Sequence, residues 1–133
     1  MFCICVHNDL LPKLKRINYI PVGLGNEKFD PEWLTDKSGE NISYKNKYYG
    51  EYSFHYWFWK NEINKIKDDD WIGFCAYRRF WLNERDKFDE NKKFQDIALR
   101  KVPEIWNDYE VILGDKIEMN HIRWIKIIKY GKK

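Results

Sequence analysis

Two adjacent arginines, Arg78 and Arg79, directly follow the nearly unbroken apolar run 71–77. The run has the length of a buried strand, and ligands of open α/β sheets bind outside the carboxyl ends of the strands. A guanidinium pairs with phosphate through two parallel hydrogen bonds and stays charged at any working pH. We therefore predict an anion site formed by Tyr77, Arg78 and Arg79, with at most one arginine entering a given crevice. The alternative is that one arginine is the buried ion-pair partner of an acid such as Glu51.

A polar loop before an aromatic-rich helix supplies a second group of candidates. Asn46 is predicted to be the N-cap, because its side-chain oxygen can accept from the free N–H groups of the first turn. Glu51 is expected near the positive end of the helix dipole. Lys45 is expected as a second cation, while Asn41 and Asn46 orient a ribose or a phosphate. Ser43 completes this donor-binding set.

Two further strand ends carry polar residues. His7 and Asn8 follow the β-prone run 2–6, and Asp115 follows the β-prone run 109–113. Because both runs are predicted strands, these residues are expected at the same ligand-facing edge of the sheet. His7 could stack on a base or hydrogen-bond to it, and the alternative is a loop residue with a local partner. Asp115 could approach a metal or a sugar hydroxyl, and the alternative is a turn residue.

The sequence does not predict a metal site or a cofactor. Asp68, Asp69 and Asp70 resemble the Asp-x-Asp metal motif of many sugar transferases, but they precede their strand and are predicted to form a solvated loop. No such motif stands at the carboxyl end of run 71–77, so we predict ligand binding without a metal. The three cysteines have no metal-ligand spacing and are predicted to be reduced, buried thiols; they are Cys3, Cys5 and Cys75.

The predicted fold class is α/β, with a mostly parallel sheet flanked by helices in one domain spanning 1–133. Its strands are placed near 2–6, 71–77 and 109–113, and residues 10–40 are expected to be mostly irregular apart from an extended stretch at 19–22. Helical spacing after Asn46 predicts one long buried face. That face comprises Tyr49, Tyr52, Tyr56, Trp59, Ile63 and Ile66, extended by Phe54, Trp57 and Phe58. If Trp57 and Trp59 are core residues, replacing either with alanine should cost about 3–5 kcal/mol.

Composition limits the partners and the location. The 24 basic and 21 acidic side chains give a net charge of only +3, which does not favour nucleic-acid binding. No apolar run approaches the roughly 20 residues of a membrane span, and the N-terminus lacks a secretory pattern. We therefore expect a cytoplasmic protein. The basic segment 123–133 is expected to allow peripheral contact with an anionic membrane, and the alternative is a solvated helix end.

Several motifs together resemble a bacterial glycosyltransferase-like family associated with capsular and exopolysaccharide biosynthesis, formerly catalogued as a domain of unknown function. The resemblance spans about residues 5–114. It implies the nucleotide-binding half of a GT-A type glycosyltransferase, which transfers a sugar from a nucleotide-sugar donor to a surface polysaccharide, including lipopolysaccharide, or to a lipid-linked acceptor. The motifs are Asn41-Ile42-Ser43, Lys45-Asn46, Tyr49, Glu51, Tyr56-Trp57, Trp59-Lys60-Asn61, Trp71-Ile72-Gly73 and Tyr77-Arg78-Arg79-Phe80.

Two departures from this pattern support an alternative. The family usually has His before the Tyr-Arg-Arg motif, whereas this chain has Ala76. Its members also usually continue further, so the chain is expected to be truncated at its C-terminus relative to them. The alternative function is a non-catalytic module that binds a nucleotide sugar or assembles with a partner chain. No catalytic residue is assigned from the sequence.

Overall fold

The structure is a computed structural model that describes residues 1–83 and 93–115 of the 133-residue chain. It confirms the α/β prediction, because four parallel strands form a sheet in the order β3-β2-β1-β4. The strands are β1 (Phe2–Cys5), β2 (Ile20–Gly23), β3 (Leu34–Thr35) and β4 (Phe74–Ala76).

Short helices connect and flank these strands. The α-helices are α1 (Leu11–Arg16), α2 (Asn46–Tyr49), α3 (Tyr52–Asn61) and α4 (Phe94–Ile97). Single 3₁₀ turns lie at Asn8–Leu10, Ser43–Lys45, Ile63–Lys65 and Glu104–Trp106. Within the two described ranges, no helix combines the length and the apolar character needed to span a membrane.

The two faces of the sheet bury different helices. Side chains alternate along a strand, so Cys3 and Cys5 of β1 point to one face and Ile4 to the other. The first face packs against α1 through Leu11 and Leu14. The second face packs against α3, which contributes three aromatic side chains to the core: Phe54, Trp57 and Phe58. The chain therefore covers one face between β1 and β2 and the opposite face between β3 and β4, which is a doubly wound arrangement.

The aromatic-rich helix predicted after Asn46 is divided in two, and part of its predicted buried face is exposed. Gly50 has a φ of +55°, which a glycine adopts without steric cost, and it separates α2 from α3. The buried face of α3 contains Phe54, Trp57 and Phe58, whereas Trp59 is 58% exposed. The predicted face is therefore correct for Phe54, Trp57 and Phe58 and wrong for its exposed members, which are Tyr49, Tyr52, Trp59 and Ile63. Phenylalanine buries no polar group, while tyrosine keeps its hydroxyl hydrated at the surface.

Regular structure occurs in residues 10–40, where the sequence predicted little. Helix α1 and strands β2 and β3 all lie there. The extended stretch predicted at 19–22 corresponds to β2, which pairs with β1 from Phe2↔Ile20 to Cys5↔Gly23. Strands of two to four residues have too little pattern to be recognised until their partners are known. Pairing with β1 therefore determines the secondary structure of this region.

The predicted strand at 109–113 is wrong. Residues 109–115 have no helix or strand, and Val111 and Leu113 are 68% and 83% exposed. A β-prone composition forms a strand only where a partner offers free backbone groups and side-chain contacts. Strand β4 pairs with β1 in the described part of the chain, and 109–113 does not extend the sheet beyond it. The strand predicted at 71–77 does form, although its paired part is limited to Phe74–Ala76.

One histidine in α3 predicts a pH dependence of stability. His55 is half-buried, and its ring packs edge-to-face on Phe74 with centroids 4.7 Å apart. Burial lowers the pKa of His55, partly opposed by the charge of Glu51. The unfolded chain therefore binds the proton more readily, so stability is full above the ordinary histidine pKa of about 6.5 and falls as the pH drops through the lower folded value. Urea unfolding at neutral and mildly acidic pH should show a smaller loss in His55→Gln than in the parent, and an equal loss would contradict this assignment.

Candidate functional site

The carboxyl ends of the neighbouring strands β1 and β4 lie side by side. These strands are neighbours, although the chain leaves β1 towards β2 on one side and returns to β4 on the other. The Tyr77 N–H donates to the Ile4 carbonyl at 3.0 Å, which holds the two strand ends together. The His7 and Tyr77 rings lie 5.1 Å apart in an edge-to-face arrangement. This position is the topological switch point, where open α/β sheets form their crevice.

A row of stacked side chains extends from this point. The guanidinium carbon of Arg78 lies 4.7 Å from the centroid of the Tyr77 ring, which in turn contacts His7. We call these three side chains the stacked row. Arg79 closes a tight turn that begins at Ala76, since its N–H donates to the Ala76 carbonyl at 2.8 Å. Both arginines are exposed.

The alternative of a buried arginine ion pair is therefore wrong. Exposure leaves both guanidinium groups hydrated, and the ion pairs in the described part of the chain join Lys15 to Glu32, Lys60 to Glu40, and Lys65 to Glu62. Glu51 is exposed and immediately precedes α3, the position predicted for it near the positive end of the helix dipole. Its backbone is already helical, and its side chain makes no capping hydrogen bond.

A cleft of about 550 Å³ opens beside the stacked row, between the ends of β1 and β2 and the start of α2. We call it the switch-point cleft. It brings together predicted site residues from two separate parts of the sequence, namely His7 and Asn8 from one and Asn46 from the other. The other lining residues are Val6, Asp9, Leu24, Gly25, Asn26 and Glu27. Asn8 donates through Nδ2 to the Lys28 carbonyl at 2.7 Å, which leaves its Oδ1 as an acceptor.

Asn46 supports the wall of this cleft in a way the sequence did not predict. Its backbone is helical, with φ −52° and ψ −36°, so it is the first residue of α2 and not an N-cap. Its Nδ2 donates to the Gly50 carbonyl and to Ser53 Oγ, both at 2.9 Å. These bonds join α2 to α3 across the break. Its Oδ1 faces Gly25 and lies 3.5 Å from the position that a Cβ atom would have at that glycine.

Most of the remaining site candidates in this loop make hydrogen bonds within the loop. Asn41 Oδ1 accepts from the Ser43 N–H at 3.2 Å and from Ser43 Oγ at 2.8 Å. The Asn41 Nδ2 donates to the carbonyls of Gly39 and Lys37. Lys45 Nζ lies 5.4 Å from the centroid of the Tyr44 ring. Asn41 and Ser43 therefore serve the loop conformation, and the Lys45 ammonium rests on an aromatic face.

Asp115 was predicted at the ligand-facing edge of the sheet, at the end of a strand over 109–113. That strand is not formed, so this prediction is wrong. Within residues 1–83 and 93–115, no group of three or more His, Cys, Asp or Glu side chains could hold a metal ion. The three cysteines are free thiols. Cys3 pairs in register with Cys75, and that neighbour together with burial raises the pKa of the Cys3 thiol. A thiol with a raised pKa is a poor nucleophile.

Two features of this edge were not predicted as functional. Tyr44, Tyr48, Tyr49 and Tyr52 are each at least half exposed and surround Asn46 in the chain; we call them the tyrosine surface. Two of them, Tyr49 and Tyr52, belong to the helical spacing that was wrongly assigned to the core. Asp36 directly follows β3 and is fully buried, and neither carboxylate oxygen has a hydrogen-bond partner among the described residues.

The fold and this edge define a doubly wound α/β domain with an open cleft beside its switch point, between the ends of β1 and β2. The sequence profile of the family described as Domain of unknown function (DUF4422) matches residues 2–130, and the chain belongs to that family. Comparison with curated proteins and with solved structures gave no match.

Proposed function

We propose that the chain binds a nucleotide-sugar donor at the switch-point cleft and transfers its sugar during bacterial surface-polysaccharide biosynthesis. The observation that carries this proposal is the stacked row, which joins an exposed guanidinium to two aromatic rings at the mouth of the cleft. The motifs around Asn41 and Tyr77, with their resemblance to glycosyltransferase-like proteins, support the same class of donor.

The two ends of the site suit the two chemically different parts of such a donor. Arg78 offers a planar fork of N–H donors for a diphosphate. The switch-point cleft offers acceptors for ribose and sugar hydroxyls, including the carboxylates of Asp9 and Glu27 and the free oxygen of Asn46. The exposed His7 ring and the half-buried Tyr77 ring provide aromatic surface for the base. An anionic group is therefore expected at the arginine end and hydroxyl groups inside the cleft.

Arg78 would also assist transfer. The bond between the anomeric carbon and the diphosphate oxygen breaks, and the diphosphate leaves with the electron pair. A bond forms from the anomeric carbon to an acceptor hydroxyl, whose proton passes to a base that we do not assign. A fixed positive charge beside the leaving oxygens lowers the energy of this charge separation. We propose that the guanidinium takes the role that a divalent metal has in other transferases, so no cofactor is required.

The tyrosine surface is proposed as the acceptor side of the reaction. Tyrosine presents both an aromatic face and a hydroxyl at low entropic cost, which suits a saccharide or lipid-linked acceptor. Asn46 lies between Tyr44 and Tyr48 in sequence and lines the cleft, so an acceptor on this surface would be close to the donor. We place the reaction at the cytoplasmic face of the membrane. The predicted membrane-contact segment 123–133 lies outside the described residues.

A non-catalytic donor-binding module remains the second candidate, and Ala76 is the observation that favours it. Ala76 lies in β4 opposite Ile4, directly before the stacked row, and contributes only a methyl group where a histidine is expected from the resemblance. Donor binding through the stacked row would be preserved in such a module. Turnover would be absent.

Calorimetric titration with UDP-, GDP- and CDP-sugars tests the proposal. We expect one nucleotide class to bind with the same affinity before and after EDTA treatment, because the anion partner is a guanidinium. Donor hydrolysis or transfer by the same sample would support the enzyme over the binding module. Failure of all three classes to bind would refute donor recognition, and loss of binding in EDTA would refute the role assigned to Arg78.

A further inference from the structure

A second cavity lies at the opposite, amino edge of the sheet. It has a volume of about 970 Å³ and is bordered by Met1, which precedes β1, and by residues 71–73, which precede β4. Residues 106, 107 and 109–112 form another part of its wall. We call it the amino-edge cavity. Since parallel strands place their amino and carboxyl ends on opposite edges, this cavity is separate from the switch-point cleft.

Three half-buried indoles form one continuous wall of this cavity. The ring of Trp106 lies 6.5 Å from that of Trp71 and 5.9 Å from that of Trp81, measured between centroids. Trp81 is fixed by its Nε1, which donates to the Phe74 carbonyl at 2.8 Å. Indoles held in place in this way present a rigid apolar surface. Such a surface loses little conformational freedom when a ligand packs against it.

The charges around this wall are of both signs. Asp68, Asp69, Asp70 and Glu110 line the cavity with carboxylates, while Arg100 and Lys101 line it with cations. Four carboxylates oppose an anionic ligand. Arg100 and Lys101 in turn oppose a cationic ligand.

From this geometry we propose that the amino-edge cavity binds an uncharged oligosaccharide. Sugar rings carry an apolar face of C–H groups, which packs on indole, and hydroxyls that both donate and accept. The carboxylates accept from hydroxyls, and the Arg100, Lys101 and Asn107 side chains donate to them. The volume lies near the upper end of the range for ligand pockets, which suits several linked sugars. This site does not depend on nucleotide binding at the other edge.

Fluorine NMR of the full chain labelled with 5-fluorotryptophan tests this proposal. The seven tryptophans give separate signals that single Trp→Phe variants assign. A panel of short neutral glucans, galactans and mannans is titrated, with choline and spermine as cationic probes. We expect at least one glycan to shift the signals of Trp71, Trp81 and Trp106 saturably and independently of salt. The signal of Trp59, which is exposed on α3, should not move.

The matched variants are Trp106→Ala and Trp59→Ala. Loss of the Trp106 contact should weaken glycan binding about tenfold or more, while Trp59→Ala should leave it unchanged. Excess UDP should not displace the glycan, which separates this site from the switch-point cleft. Shifts produced only by choline or spermine, shifts centred on Trp59, or no response to any glycan would each overturn the proposal. The titration of the parent protein decides the matter even if Trp106→Ala does not fold.

Discussion

Replacement of Phe54 by alanine is expected to lower the free energy of unfolding by about 3–5 kcal/mol. The Phe54 side chain has no exposed surface. Its ring lies 5.5 Å from that of Trp57 and 5.8 Å from that of Phe2, between α3 and the sheet. Removing it leaves a cavity among aromatic rings that already pack against one another and can relax only partly to fill it. A loss of this size is a large part of the stability of a typical domain.

Trp59→Ala is the matched control on the same helix. Trp59 is 58% exposed, so the loss of its larger side chain should change the free energy of unfolding by only about 0.5 kcal/mol. Denaturant unfolding followed by far-ultraviolet circular dichroism gives both values. Equal costs at the two positions would show that the second face of the sheet does not pack against Phe54.

The helix shows why periodicity alone predicted too wide a buried face. Aromatic residues occur all around α3, so the three- and four-residue steps fit the Tyr52–Tyr56–Trp59 face as well as the Phe54–Trp57–Phe58 face. Hydrophobicity separates the two, since phenylalanine is wholly apolar and tyrosine carries a hydroxyl. The Gly50 break could also have been suspected, because glycine inside a helical pattern often marks an interruption.

Strands were predicted correctly where the sequence is strongly apolar. The prediction failed where the formation of a strand depends on a pairing partner. The runs 2–6 and 71–77 contain the central strand β1 and its neighbour β4, which are covered on both faces. Strand β2 contains Pro21, and β3 has only two residues, so neither has a clear pattern. The run 109–113 has the composition of a strand but does not pair with the sheet in the described part of the chain. Helix α1 did have a usable signal, in the three-residue spacing of Leu11, Leu14 and Ile17 after Leu10.

The location of the candidate site could be predicted more reliably than the role of each residue. Strand ends in a parallel sheet share one edge, which brought His7 next to Tyr77 although they are 70 positions apart in the sequence. Side-chain hydrogen bonds depend on local backbone angles, which the sequence does not give. For that reason Asn46 joins two helices where an N-cap was predicted, and Asn41 is bonded to its own loop.

Replacing Arg78 should have the largest effect on ligand binding. If the proposed donor site is correct, Arg78→Ala removes both the charge and the planar fork that meet the diphosphate, and we expect nucleoside-diphosphate affinity to fall about 10- to 100-fold. Arg78→Lys keeps the charge but loses the fork and the stacking on Tyr77, so a loss of about tenfold is expected. Arg79 has no ring contact among the described residues and lies in the turn after β4, so Arg79→Ala and Arg79→Lys are its matched controls.

These variants also separate a directed contact from a general electrostatic attraction. All the arginines of this edge contribute to the field around an anion, and that contribution is screened by salt. A hydrogen-bonded guanidinium stacked on Tyr77 should still distinguish Arg78→Lys from Arg79→Lys at high ionic strength. Calorimetry at low and high salt measures both effects, with thermal unfolding as the check that each variant is folded. If both lysine variants bind as well as the parent, or if the two positions lose affinity equally and only at low salt, the stacked row does not recognise the diphosphate.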